Sequence, residues 1–241
     1  MTPPTTRVTD PTAAAATNKS RASSIRRYNR PARWFHSGTY LVVGVLLVTG
    51  WWLRRGGEGE PSVLARLFEQ PDTELHRAAG WALTALGALG LTLGIRGAWT
   101  FTRETVRVDR GDGHWILRWP LAIFTGRFGR HRGHFDPGQR IANVLFVGSL
   151  GTLIVSGIAL TTLHGGETFA LMVKLHRYAT YVLTPLVIGH IVVALGILPG
   201  YRGVWRSMHL GGRVPLATAR RVWPSSVPAD ESVRDEPAPR G

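Results

Sequence analysis

The chain has 241 residues, a formal net charge of +14 and no cysteine. The missing thiols exclude disulfides and an ordinary cysteine-ligated iron–sulfur cluster. The charge comes with no folded basic domain or nucleic-acid motif, so its distribution along the chain reads as a membrane-topology signal.

Residues 1–30 are rich in Thr, Ala, Pro and Arg and are expected to form a disordered basic tail. Ser24-Ile25-Arg26-Arg27 resembles a twin-arginine signal only slightly. No small-residue cleavage site follows the next apolar run, which ends Trp51-Trp52-Leu53-Arg54-Arg55. Four runs then lack any charge: His36–Leu53, Ala78–Ile95, Ile141–Leu163 and Tyr178–Tyr201. Each is close to the roughly 20 apolar residues that cross a ~30 Å hydrocarbon core. They are too long and continuous for barrel strands. They predict helices over about 35–54, 75–97, 138–163 and 170–199. Residues 225–241 read as a second disordered tail.

The fold class is thus an all-α membrane protein, a four-transmembrane-helix bundle over residues 31–224. Arginines crowd the N-terminal flank, the segment between helices 2 and 3 and the segment after helix 4. The loop Arg54–Glu74 instead mixes three Arg with five acids, and His164–Lys174 is nearly neutral. Both termini are therefore expected in the cytoplasm. Between helices 2 and 3, Trp115–Phe124 joins aromatics to Arg118. It suits either the inner headgroup layer or a roof over a binding site.

Histidine inside a membrane span is rare and usually functional. His176 and His190 are 14 residues apart on helix 4. That is about 21 Å and just under four turns, so both rings leave nearly one face at two depths. His36 opens helix 1 at the cytoplasmic side, level with His190. His76 opens helix 2 at the outer side, level with His176. Topology alone sorts the four into two stacked pairs. Two opposed imidazoles are the usual axial ligands of a haem iron. Without C-x-x-C-H the group would be non-covalent, giving two haem b. The anchors are His36 and His190 on the inner haem iron, and His76 and His176 on the outer one. His114, His131, His134, His164 and His209 are expected to be solvated.

Leu75-His76-Arg77-Ala78-Ala79 and Leu175-His176-Arg177-Tyr178-Ala179 share L-H-R-x-A. Arg77 and Arg177, with Arg33 beside His36, suit haem propionates. Snorkelling to the interface accounts for Arg77 and Arg177 equally well. Gly80, Gly87 and Gly94 recur every seven residues on helix 2, and helix 3 carries Gly148, Gly151, Ser156 and Gly157. These small residues give either room for a porphyrin or close helix packing.

With these residues in view, the chain from about Arg27 to Pro224 resembles the membrane cytochrome b (gamma) subunit of respiratory formate dehydrogenase. Related four-helix diheme subunits serve nickel–iron hydrogenases. The resemblance rests on Arg33-x-x-His36, His76, the His176/His190 pair and Phe135-Asp136-Pro137-Gly138-Gln139-Arg140 opening helix 3. It extends to the basic segment from Pro199-Gly200-Tyr201-Arg202-Gly203 to Arg220-Arg221-Val222-Trp223-Pro224. It implies the same haem ligands, and a quinone site (menaquinone or ubiquinone) beside the inner haem. Asp136, Gly138 and Gln139 stand where the family often has Asn-Ala-Gly-Gln. Asp136 would accept a hydrogen bond from quinone or deliver its proton. It equally suits an N-cap, with Pro137 at the first helical position.

The resemblance further implies a multi-pass protein of the bacterial cytoplasmic (inner) membrane. Its partners would be an iron–sulfur electron-transfer subunit and a molybdenum or tungsten catalytic subunit, since no catalytic motif for formate occurs in this chain. A nickel–iron hydrogenase cytochrome or a free-standing quinol-oxidising cytochrome b keeps the haems and changes the job. A haem-free membrane anchor is a reading of another class.

Overall fold

The structure, a computed structural model, describes residues 24–56 and 60–227. The expected tails over 1–23 and 228–241 lie outside these residues. The strand β1 (Ser24–Arg26) is followed by α1 (Arg30–Arg54). The Asn29 side chain caps α1 by accepting from Ala32 N at 2.9 Å. A short helix, α2 (Val63–Phe68), is capped by Ser62, whose own N–H donates to Asp72 Oδ2 at 2.9 Å. That carboxylate opens α3 (Asp72–Leu93), so the loop helix is fastened to the next span.

α3 stops at Gly94, and α4 (Ile95–Thr105) leaves at 96°. Helix 2 was expected to run to about residue 97. A Cβ at Gly94 would stand 2.6 Å from the Gly90 carbonyl oxygen, so the bend needs glycine there. α5 (Asp112–Thr125) follows, then α6 (Pro137–Thr162) and α7 (Gly166–Ala194). α7 begins and ends before the expected limits of 170 and 199. After Ala194 the chain turns at Gly196, at φ +70°.

Three helices are long and apolar enough to cross a membrane alone: α1, α6 and α7. α3 reaches that standard only together with α4. Its first turns carry Asp72, Glu74, His76 and Arg77, which shorten its apolar run. The chain is an integral, all-α membrane protein. α1 packs on α3 and α6 on α7, giving two helical hairpins. Val43, Leu83 and Leu183 are buried where the hairpins meet, among Leu47, Phe146, Leu150 and Ile154. Leu41, Leu89, Leu91, Val147, Val155 and Ile188 point outward and exposed, as a lipid-facing surface requires.

The most enclosed core lies at one end of the bundle. Residues 24–26 pair antiparallel with β2 (Arg213–Pro215), Ile25 opposite Val214. Val214 and Ala219 are fully buried, with Trp223 at 1% exposure. They pack with Ile123 of α5, Tyr201 and α9 (Leu216–Val222), after the short α8 (Arg206–His209). This corrects the expectation that residues 24–30 belong to a disordered tail. The basic segment after helix 4 is likewise a folded cap.

His131 and His134 belong to the cap and are not solvated. His131 Nε2 donates to the Val222 carbonyl at 3.0 Å, and Arg27 Nη1 donates to His134 Nδ1 at 3.2 Å. His114, His164 and His209 are exposed, as expected. Arg140 is 4% exposed and joins the cap to α6. Its guanidinium donates to the Phe135 and Arg107 carbonyls, both at 3.1 Å, and pairs with Asp112 at 2.9 Å and Asp109 at 3.2 Å.

Candidate functional site

The two hairpins bring the four span histidines together as pairs at opposite ends of the bundle. Near the cap, the ring centres of His36 and His190 are 6.0 Å apart at 51°. At the far end, those of His76 and His176 are 6.2 Å apart at 70°. An imidazole nitrogen binds a transition metal at about 2.0–2.1 Å, so two rings on one metal have facing nitrogens ~4 Å apart and centres at about 6 Å. Among the described residues no three His, Asp or Glu side chains gather as a metal site. A lone imidazole pair suits a metal whose remaining positions are filled by its own macrocycle.

The far-side pair borders a cavity of about 840 Å³. This lies in the upper range for cofactor sites, about 300–1,000 Å³. Its walls are mostly apolar, from Leu46, Leu47, Trp81, Leu150, Leu153 and Ile154. Gly50, Gly80 and Gly157 keep it open, and Arg54, Arg77 and Arg177 stand among its lining. A Cβ at Gly80, Gly87, Gly148 or Gly151 would meet nothing within 4 Å, so these glycines face space and not a packed neighbour. Gly94 serves the bend instead. Arg54 was not anticipated; its guanidinium lies over the Tyr181 ring at 5.1 Å. Arg77 pairs with Glu74 one turn earlier.

Thr49 escaped the sequence reading, and Ser156 was read there only as a small residue of helix 3, not as a partner of a histidine. Thr49 Oγ1 is 2.9 Å from His76 Nδ1, and Ser156 Oγ is 3.0 Å from His176 Nδ1. Both hydroxyls are followed by glycine, Gly50 and Gly157, a shared dipeptide pattern that could have flagged them.

Near the cap the setting differs. His36 meets Tyr40 edge-on at 5.6 Å, and His190 meets Phe146 edge-on at 5.6 Å. His36 Nδ1 is buried without a partner. Arg33 Nε donates to the Met208 carbonyl at 2.6 Å, so this arginine also ties α1 to the cap. It lines a smaller cavity of about 180 Å³ with Arg30, Trp34, Ser37, Met208 and His209.

At the opening of α6, Asp136 and Gln139 form a reciprocal capping box. Asp136 Oδ1 accepts from Gln139 N at 2.9 Å, and Gln139 Oε1 also accepts from Trp223 Nε1 at 3.1 Å. Gly138 fits beneath Trp115, where a Cβ would come within 3.1 Å of the ring. Asp136 is 1% exposed, and its Oδ2 has no partner. Burial pushes its carboxyl above the usual range, against the opposing pull of the Gln139 N–H.

The residues present fit a haem: opposed imidazoles at metal-spanning separation, an apolar cavity, open glycines and arginines among the lining. No curated protein matches the chain. Residues 27–211, more than half of the chain, match the model of prokaryotic cytochrome b561. The chain therefore belongs to the prokaryotic cytochrome b561 family: it is a membrane b-type cytochrome of electron transfer that binds haem b.

Proposed function

We propose that the chain is the diheme, quinone-reducing membrane subunit of a formate dehydrogenase-like complex in the bacterial cytoplasmic membrane. The observation that carries this reading is the presence of two imidazole pairs at opposite ends of one bundle. His36 and His190 would hold one haem and His76 and His176 the other. Bound there, the haems supply one-electron transfer between an iron–sulfur partner at the far end and menaquinone or ubiquinone at the capped end. Arg54, Arg77 and Arg177 offer propionate partners around the far cavity. Asp136, whose buried carboxyl favours the protonated form, is the proton donor proposed for quinone, with Gly138 and Gln139 shaping the same corner.

The formate dehydrogenase branch is favoured because the motif and the segment behind that resemblance meet in the fold. Trp223 from the cap donates to Gln139 at the opening of α6. The arginine distribution supports an orientation with the capped end on the cytoplasmic side, as the positive-inside rule expects. The absence of native cysteine makes this directly testable. With Glu60→Cys and Gly211→Cys in separate intact-cell preparations, only Glu60→Cys should react with a membrane-impermeant thiol reagent; the reverse overturns the orientation.

The partner is tested by purifying the tagged chain with its complex. An iron–sulfur subunit and a molybdenum or tungsten protein, with formate-driven quinone reduction, are expected. A nickel–iron protein with hydrogen-driven reduction would contradict the formate assignment and favour the hydrogenase reading. A chain that purifies alone and oxidises quinol would contradict both.

A further inference from the structure

Thr49 and Ser156 are the most enclosed hydroxyls of the spans, at 0% and 1% exposure. Thr49 Oγ1 donates to the Val45 carbonyl at 2.8 Å, with the Leu46 carbonyl at 3.4 Å. Ser156 Oγ donates to the Thr152 carbonyl at 2.6 Å, with the Leu153 carbonyl at 3.4 Å. A hydroxyl has one proton, and in both residues it is committed to the helix backbone. What each oxygen turns to the imidazole is a lone pair. With Nε2 turned to a metal, His76 Nδ1 and His176 Nδ1 carry the ring protons and donate to these lone pairs, at 2.9 and 3.0 Å. This tautomer goes with Nε2 of each ring as the metal-binding atom in the ligand assignment proposed above.

The following glycine completes the seat. A Cβ at Gly50 would come within 3.0 Å of His76 Cε1, and one at Gly157 within 3.5 Å of His176 Cε1. The device occurs once per hairpin: α1 seats the histidine of α3, and α6 seats that of α7. The capped end lacks it. Among the described residues neither His36 nor His190 has a side-chain hydrogen bond, and His36 Nδ1 is buried without a partner.

We propose that Thr49 and Ser156 are positioning residues that fix both far-side imidazoles as Nε2 ligands and raise their basicity, giving this haem the lower reduction potential of the two. This rests on the ligand assignment proposed above. A hydrogen bond from the second ring nitrogen makes imidazole a stronger donor. A stronger axial donor stabilises oxidised iron over reduced iron. Two such bonds at the far end and none at the capped end make the reduction potential rise toward the cap, so electron flow in that direction runs downhill in free energy.

The test is a redox titration of the purified full chain, followed by visible and electron paramagnetic resonance spectra. It uses Thr49→Val and Ser156→Ala, singly and combined. The haem missing from His76→Ala identifies the far-side signal. In the double variant that haem's reduced-to-oxidised ratio at fixed potential should rise about tenfold, an upward midpoint shift of about 59 mV for one electron. The other haem should not move, and Thr49→Ser should behave as the unaltered chain. Loss of the far-side haem from Thr49→Val but not from Thr49→Ser also supports the hydroxyl's role. Loss from Thr49→Ser but not from Thr49→Val, which would make the methyl the requirement, overturns it, as does loss from both, which would show that the hydroxyl alone does not seat the ring. So do unchanged midpoints in a double variant that keeps both haems, or a shift in the haem that survives His76→Ala. Fewer than two haems in the unaltered chain would instead sink the ligand assignment itself.

Discussion

The two ends of the bundle carry the same pair of imidazoles in different surroundings. At the far end both rings are held by hydroxyls beside glycine, next to a large cavity lined by three arginines. At the capped end the rings meet aromatic edges, and a folded cap covers the helix ends. The pairing follows from where helices cross and tolerates varied neighbours. The chemistry of each pair is left to residues one layer out. A single helix, α7, can thus serve two sites of different character.

The largest effects come from breaking the pairs. His190→Ala should remove the cap-side haem and quinone reduction while the protein stays inserted. His76→Ala should remove only the far-side haem. Haem counts on the purified variants check this, and a variant that kept both haems would refute the pairing. Next comes the seat. Gly50→Ala places a Cβ 3.0 Å from His76 and should lower far-side haem occupancy, whereas Gly157→Ala, at 3.5 Å from His176, should be tolerated. Equal occupancy in the two would show that the glycine after Thr49 does not shape the site.

The cap should respond to acid. Burial, aided by the Arg27 guanidinium, holds His134 down to about 4. The folded state therefore favours neutral His134. Its stabilising contribution is complete above the unfolded value of about 6.5 and is lost as pH falls toward 4. Thermal unfolding in detergent should show the cap weakening over that window, and His134→Asn should flatten the dependence. A pH profile unaltered by that substitution would contradict it. The smallest expected effect separates the two roles of Asp136. Asp136→Ala should cost about 0.5–2 kcal/mol through loss of the cap, and Asp136→Asn much less. If the carboxyl also delivers a proton, Asp136→Asn should still slow quinone reduction. A full rate in that variant would leave Asp136 only its capping role.

The spans and the four histidines were legible in the sequence because membranes reduce folding to depth. Once charge fixes helix direction, residue number gives height, and His36, His76, His176 and His190 sort themselves. Helix limits were legible to within a few residues, except where Gly94 imposes a bend that hydropathy does not register. The cap was not legible. Its strands are three residues long, and the burial of Val214 and Trp223 depends on a partner strand and helices far along the chain. Thr49 and Ser156 stayed hidden for a related reason. A lone hydroxyl in an apolar run reads as small packing until the imidazole opposite it is known.

The most direct measurement is a reduced-minus-oxidised visible spectrum of the purified full chain, with haem counted per polypeptide. Two b-type haems per chain, one for each imidazole pair, are predicted. One haem or none, in protein properly inserted and expressed with adequate haem supply, would contradict the account.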